Sequence, residues 1–310
     1  MAGMTVEVAA PRGGPERVRA GIVILPDQRW SAAAGRWRRA EEYGFAHAWT
    51  YDHLGWRDLV DGPWFDAVPT LSAAAGVTSR IRLGTMVASP NFRHPAHFAR
   101  EVTALDDICG GRLTIGVGGG GVAGFDNTVL GGEALAPRER VDRFTEFLEV
   151  LDPLLRGEPV TYRGRYYTAV DARGTPGCVQ APRVPLVLAA LGPRSMRLVA
   201  RFGAGWVTTV GRMESLEDWW RAAAGSVARF EDVVSAAGRD PSTVDRYVSL
   251  DSAPVYSLSS AGYYAEAVGR AAACGFTDVL SHWPRASSWY AGDEAVLEEV
   301  AGGVLPTLGG

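Results

Sequence analysis

Ile81-Arg-Leu-Gly-Thr-Met-Val-Ala-Ser-Pro-Asn-Phe-Arg-His-Pro95 reads as a buried strand, a short irregular loop and a helix that starts at Pro95 and Ala96. The same unit recurs at once. Leu105-Asp-Asp-Ile-Cys-Gly-Gly-Arg112 turns into the strand Leu113-Thr-Ile-Gly-Val-Gly118. Two successive strand–loop–helix units, with loops rich in Gly, Pro and small polar residues, point to a site built at strand C-termini.

Outward from this stretch, apolar runs alternate with segments of helical period from about Gly21 to the end of the chain. The expected strands are Gly21–Leu25, Ala46–Tyr51, Ile81–Ala88, Leu113–Val117, Leu186–Ala190, Trp206–Val210, Tyr247–Asp251 and Asp278–Ser281. The expected helices lie near Ser31–Tyr43, Trp64–Ala75, Pro95–Ile108, Pro137–Leu155, Pro193–Phe202, Leu216–Ala237, Ser260–Cys274 and Asp293–Val300. Strand–helix pairs in this order predict an α/β fold, a (β/α)8 TIM barrel formed by residues 21–310 as one domain. Pro95, Pro137 and Pro193 suit helix starts, where a missing N–H costs nothing. Gly44, Gly203 and Gly275 are expected to close helices in the left-handed conformation. Two insertions break the rhythm: Gly118–Ala136 after the fourth strand, with no helix expected before Pro137, and Glu158–Pro185 before the fifth, which contains a hairpin-like stretch at Val160–Tyr167.

Composition narrows the chemistry. The 310 residues are 47% hydrophobic, enough for one large core. A formal charge of −4, evenly spread, gives no reason to expect nucleic acid or an anionic membrane as partner. No apolar run approaches the ~20 residues of a membrane span. Residues 1–20 carry Glu7 and Glu16 without an apolar core, so they read as a partly ordered tail and not as a secretion signal. Cys109, Cys178 and Cys274 are scattered and odd in number, which fits a reducing cytoplasm and argues against disulfides or a thiolate zinc site. The chain contains no lysine. Schiff-base chemistry and the P-loop lysine are therefore excluded.

Gly116-Val-Gly-Gly-Gly-Gly121 matches the dinucleotide fingerprint G-x-G-x-x-G. That reading needs a helix to open at once and offer its amides to a pyrophosphate. The better reading is a loop whose backbone passes close to a bulky flat ligand, with Gly118 and Gly119 as the contacts. His94 and His97 have metal-like spacing, but Pro95 starts a helix between them and no thiolate or carboxylate completes a set, so no metal is expected.

With these pieces placed, the chain resembles the bacterial luciferase-like superfamily of flavin- and deazaflavin-dependent oxidoreductases. The carriers are Glu41-Glu-Tyr-Gly-Phe-Ala-His-Ala-Trp-Thr-Tyr-Asp-His53, Leu83–Pro90, Arg93-His-Pro95, Leu105–Gly118, Tyr162-Arg-Gly-Arg-Tyr166 and Ala200-Arg-Phe-Gly-Ala-Gly-Trp206. Asp52-His53 with Trp56, Thr85-Met-Val87 and Phe92-Arg93 make it most similar to the branch that uses coenzyme F420, a deazaflavin hydride carrier. That resemblance implies a reductase working on a small-molecule substrate, and a homodimer. An FMN-dependent monooxygenase is the alternative, and a non-catalytic flavin-binding barrel the third.

The resemblance implies a catalytic or cofactor-contacting role for His53, whose imidazole suits proton transfer at neutral pH; a structural histidine is the competing reading. Asp52 would orient His53 or touch the cofactor ring, or serve as a buried polar partner. Thr85, Met86 and Val87 would line the ring, with a cis bond at Met86–Val87. Leu191-Gly-Pro-Arg194 opens a helix whose first amides favour an anion, which would be the cofactor phosphate; an ordinary Gly-Pro helix start is the competing reading. Trp56, Arg212, His282 and Trp283 are the substrate candidates, each with a plain packing or surface role as the alternative. The sugar-phosphate branch carries a glutamate where this chain has Gly121, so Asp126 or Glu133 would have to replace it.

Overall fold

The computed structural model describes residues 18–121 and 124–308. Short apolar runs form the strands Arg19–Val23 (β1), His47–Thr50 (β2), Arg82–Ala88 (β3) and Leu113–Gly118 (β4). Pro159–Arg163 (β5) and Thr168–Arg173 (β6) pair antiparallel as a separate hairpin, as the insertion before the fifth barrel strand predicts. Leu186–Ala189 (β7), Gly205–Thr208 (β8), Asp245–Ser249 (β9) and Asp278–His282 (β10) complete the barrel. The order around it is β1-β10-β9-β8-β7-β4-β3-β2, and β1 closes the ring by pairing in parallel with both β10 and β2. This is a (β/α)8 barrel. Its strands are buried on both faces, which is why they appear in the sequence as runs and not as alternations.

The helices are Trp30–Glu42 (α1), Ala67–Ala75 (α2), Pro95–Ile108 (α3), Phe125–Thr128 (α4), Pro137–Leu155 (α5), Pro193–Phe202 (α6), Leu216–Ala236 (α7), Ala261–Ala273 (α8) and Glu294–Gly303 (α9). Side-chain caps fix several starts. Asp66 accepts from Val68 N, Ser215 from Asp218 N, Ser260 from Tyr263 N and Asp293 from Ala295 N. Each such cap contributes about 1 kcal/mol.

Four local expectations need correction. The barrel begins at Arg19, since Arg19 and Ala20 pair with Asp278 and Val279, so the tail expected through Ala20 is too long by two residues; residues 1–17 lie outside the described residues. Trp64 precedes α2, which waits for the Asp66 cap. Gly44 and Gly275 do have positive φ, but Gly203 has φ −80°; its hydrogen side chain instead admits Val199 and Leu188, whose methyls would lie 2.7 and 3.0 Å from an added Cβ. A helical turn, α4, does precede Pro137, and it carries a residue of the site.

Two apolar layers fill the molecule. One lies between the barrel and its helices and includes Trp37, Phe98, Phe147, Trp206 and Phe230. The other lies inside the barrel, with Val23, Trp49, Val187, Val207, Tyr247 and Leu280. Near the N-terminal ends of the strands the interior is polar. Asp278 takes two bonds from Arg19 (2.9 and 2.7 Å) and one contact from His47 Nε2 (2.9 Å), and Trp49 Nε1 donates to His47 Nδ1 (2.6 Å). The opposite end is open.

Candidate active site

A cavity of about 1820 Å³ occupies the C-terminal ends of the barrel strands. A pocket for one drug-sized ligand is typically ~300–1,000 Å³. This one has room for two ligands side by side.

One wall is almost bare of side chains. Met86 and Val87, joined by a cis peptide bond, lie on it at the end of β3, where the pairing with β4 shifts register. Gly118 and Gly119 end β4 beside them. A Cβ on Gly118 would sit 3.0 Å from Val87 and 3.1 Å from Ala189, so only glycine keeps this surface flush. Such a surface of methyls and backbone suits a flat ring. Thr85 lies behind the wall, fully buried, with its hydroxyl donating to Gly116 O at 2.8 Å. It supports the wall and does not face the cavity, which corrects its expected place as a ring contact.

At one end of the cavity the N-terminal turn of α6 is exposed through Leu191, Gly192, Pro193 and Arg194. Gly192 is the N-cap, and Ser195 Oγ donates to its carbonyl at 2.9 Å. Arg138 and Arg140 from α5 face the same end. Arg140 donates to Gly120 O (2.6 Å), and its Nε is buried with no hydrogen-bond partner. That Nε is sealed from the cavity, so what an anion can reach at this end is the first turn of α6 and the exposed Arg138 side chain. Arg194 itself pairs with Asp142 at 2.7 Å on the surface. Arg212, from the loop after β8, lies on the cavity wall.

The opposite end carries the titratable groups. His53 follows β2 and is partly open to the cavity, its side chain 29% exposed. Its Nδ1 lies 2.5 Å from Asp126 Oδ2, and the other carboxylate oxygen accepts from Leu54 N at 2.7 Å. Asp126 is supplied by α4 and is 5% exposed. A carboxylate on Nδ1 fixes the tautomer and leaves Nε2 for a ligand. The acid that meets His53 is thus Asp126, one of the two possible replacements at this loop; Glu133 is exposed and away from the cavity wall.

Asp52 does not orient His53. Neighbouring residues of an extended chain point to opposite sides, and Asp52 turns into the protein, where Arg93 donates to it twice (2.6 and 2.7 Å). Burial pushes the Asp52 carboxyl up, and the Arg93 guanidinium offsets part of that push. The same alternation separates His282 from Trp283. His282 faces the cavity, whereas Trp283 points outward, stacks on Tyr43 (6.2 Å, 10°) and donates to Glu294 at 2.8 Å. Trp283 is therefore a packing residue and its expected place at the mouth is wrong.

Trp56 does lie on the wall, edge-on to Tyr51 at 5.2 Å. It belongs to a clasp over the mouth in which Arg57 lies against the rings of Trp56 (4.4 Å) and Trp289 (3.9 Å), while Trp289 Nε1 donates to Asp58 at 2.6 Å. Residues that the sequence reading missed join His282. Tyr51 contacts His282 Nε2 (2.8 Å) and Tyr290 Oη (2.9 Å), and His282 Nδ1 lies 2.8 Å from Asp251. Burial holds the Tyr51 phenol well above its ordinary range and raises Tyr290 to about 12.

A closed parallel barrel whose strand ends hold a wide cavity, with a bare wall on one side and an imidazole–carboxylate pair on another, defines a class of ligand-binding (β/α)8 barrels. The chain belongs to the luciferase-like monooxygenase family, whose model matches residues 4–280. The F420-dependent glucose-6-phosphate dehydrogenase of Microbacterium testaceum (strain StLB037) is 33% identical over 219 residues, which cover 68% of this chain and 60% of that protein. In three of the curated relatives that carry F420-dependent or reductase names, the match spans 52–63% of their own length. Among solved structures, the coenzyme F420 dependent tetrahydromethanopterin reductase from Methanopyrus kandleri matches with a TM-score of 0.75 at 20% identity, covering 94% of this chain and 100% of its own. The monooxygenase RslO1 from Streptomyces bottropensis matches with the same TM-score at 21% identity, covering 94% and 99%. The two share this fold and differ in the chemistry their names give.

Proposed function

We propose that this chain is an F420-dependent oxidoreductase that moves a hydride between the deazaflavin and a small organic substrate, working as a reductase. The observation that carries this reading is the bare wall at Val87, Gly118 and Ala189, which fits a flat ring and shares one large cavity with His53. The F420-dependent names of the curated relatives support it. When bound, the deazaflavin supplies or accepts the hydride at its ring C5.

The protein's part is to hold, align and manage the proton. The glycine wall admits the ring at contact distance. The turn at Gly192 and the exposed Arg138 side chain suit the anionic tail. His53, held on Asp126 through Nδ1, keeps Nε2 available to carry a proton to or from the substrate. The clasp of Trp56, Arg57 and Trp289 limits water at the mouth. The aromatic lining suits a bulky or partly apolar substrate of specialised metabolism.

The protein titrated with F420 and with FMN, each followed by fluorescence, tests the reading. Tight F420 binding with weak FMN binding is expected. Tight FMN binding, together with oxygen uptake by the FMNH2-loaded protein, would replace it with the monooxygenase reading.

A further inference from the structure

Four residues beside His53 form a continuous line of hydrogen bonds that ends at the cavity. Asp251 follows β9, His282 ends β10, Tyr51 follows β2, and Tyr290 sits in the loop before α9. The Asp251 and His282 side chains are 1% and 3% exposed, and all four residues border the cavity. Asp251 Oδ2 accepts from the His282 backbone N (2.5 Å) and lies against Nδ1 (2.8 Å), while Oδ1 accepts from Ser257 N (2.9 Å). Two backbone N–H groups donate to this buried carboxyl, one to each oxygen, which marks it as a carboxylate.

The polarity of the line follows. A carboxylate accepts, so His282 Nδ1 carries the proton and neutral Nε2 is an acceptor. The Tyr51 hydroxyl must then donate to Nε2, and the Tyr290 hydroxyl must donate to Tyr51. Tyr290 is left at the cavity end with its oxygen lone pairs and no proton to offer. Its ring is held in place, stacked on His282 at 3.6 Å and 5°. As built, the line can only receive a hydrogen bond from a ligand, and it has a buried anion behind it.

We infer that Tyr290 is a catalytic residue that touches the substrate oxygen, that Tyr51, His282 and Asp251 position it and store its proton, and that the substrate couple is an alcohol and its carbonyl. This rests on the hydride-transfer reading above. In the oxidising direction the substrate O–H bond breaks and its proton goes to the Tyr290 oxygen. The Tyr290 proton passes to Tyr51, and that of Tyr51 to His282 Nε2. The substrate C–H bond breaks with its electron pair, which leaves as hydride to the oxidised deazaflavin, and the electrons of the O–H bond form the C=O bond. The imidazolium that results faces the Asp251 carboxylate, the arrangement by which a buried acid stabilises a protonated histidine. Reduction of the carbonyl runs the same steps backward and draws the stored proton out through Tyr290. His53 reaches the same corner from the other side of Tyr51, whose ring lies 5.8 Å from His53 and 5.5 Å from His282.

Two measurements test this. The first needs no cofactor. A nitrogen-15 histidine spectrum of the full chain should show His282 as the Nδ1–H tautomer with a strongly downfield proton. Asp251→Asn should abolish that signal, and Tyr51→Phe should shift Nε2 alone. A His282 protonated only at Nε2 overturns the inference. The second uses the F420-loaded protein with a panel of secondary alcohols and ketones, 1-phenylethanol and acetophenone among them, beside alkenes and imines. Turnover is expected with the alcohol–ketone pairs. On the best of them Tyr290→Phe should lower kcat about 10²-fold, with F420 affinity unchanged. Turnover confined to C=C or C=N substrates, no turnover of any alcohol or ketone, or a Tyr290→Phe protein as fast as the parent overturns the inference while F420 binding stands. Failure to bind F420 at all overturns the hydride-transfer reading itself.

Discussion

His53 gains its chemical identity from a residue 73 positions away. Asp126 holds Nδ1 at 2.5 Å and is itself held by the amide of Leu54. Asp126→Asn keeps the shape and removes the charge, so the imidazole loses its fixed tautomer. We expect kcat to fall about 10²-fold, with cofactor affinity unchanged in the same titration. Asp52, one residue before His53, behaves differently. It and Arg93 are both buried, and removing Asp52 takes two bonds from the guanidinium while leaving it the Glu101 carboxylate at 2.8 Å. Asp52→Ala should cost about 1–3 kcal/mol in urea denaturation. The two neighbours thus separate by assay, one in turnover and the other in stability.

At the scale of elements, Glu41 near the end of α1 ties that helix to the turn before β3. Its Oε2 accepts from the amides of Ser79 (2.9 Å), Arg80 (2.6 Å) and Ile81 (2.9 Å). Burial alone would raise this carboxyl, but the three amides and the Ser79 hydroxyl outweigh it and hold the group down to about 2 from 4.5. A depressed folded value stabilises the protein above the unfolded value, and that contribution is lost as pH falls from about 4.5 to about 2. Glu41→Gln should therefore lower Tm at pH 7 and leave it unchanged near pH 2, as read by calorimetry. Gly116, inside β4, is a second element-level constraint, because a methyl there would collide with the Thr85 carbonyl. Gly116→Ala should destabilise by ~1–3 kcal/mol in the same urea assay.

These cases also explain what the sequence discloses. Residues at strand ends were legible, because a run of apolar residues stopping at Gly, Pro or His marks its own C-terminus. His53, Gly118 and Gly192 are placed at the rim in this way, whereas Val87 comes only from the family resemblance. Which side a strand-end residue faces was not legible where neighbours differ by a single step, hence the misplacement of Trp283 beside His282 and of Asp52 beside His53. Thr85 failed for a related reason, since the register shift after it moves the wall to Met86 and Val87. Tyr51, Asp251 and Tyr290 were missed altogether. Their meeting depends on ring closure between β1, β2 and β10, which no local pattern encodes. Asp126 was visible only as a possible substitute acid, because one short helical turn amid glycines leaves no periodicity to detect.

For the whole molecule, closure leaves no free barrel edge and gathers the site residues, on strand ends, loops and helix starts, along one rim. Ligand binding at that rim should therefore stabilise the entire barrel and not a single lobe. F420 at 100 times its Kd should add about 2.7 kcal/mol by linkage, seen as one cooperative transition moving to higher temperature. Two separate transitions, only one of them shifted, would contradict this.

The clasp has an optical consequence. Of the ten tryptophans, Trp56 and Trp289 border the cavity, while Trp37, Trp49, Trp206, Trp219 and Trp283 are sealed away from it. An occupant of the mouth should dim or shift the emission of the first two against a constant background from the others. Replacing both with phenylalanine would then leave a protein whose glow no longer reports arrival.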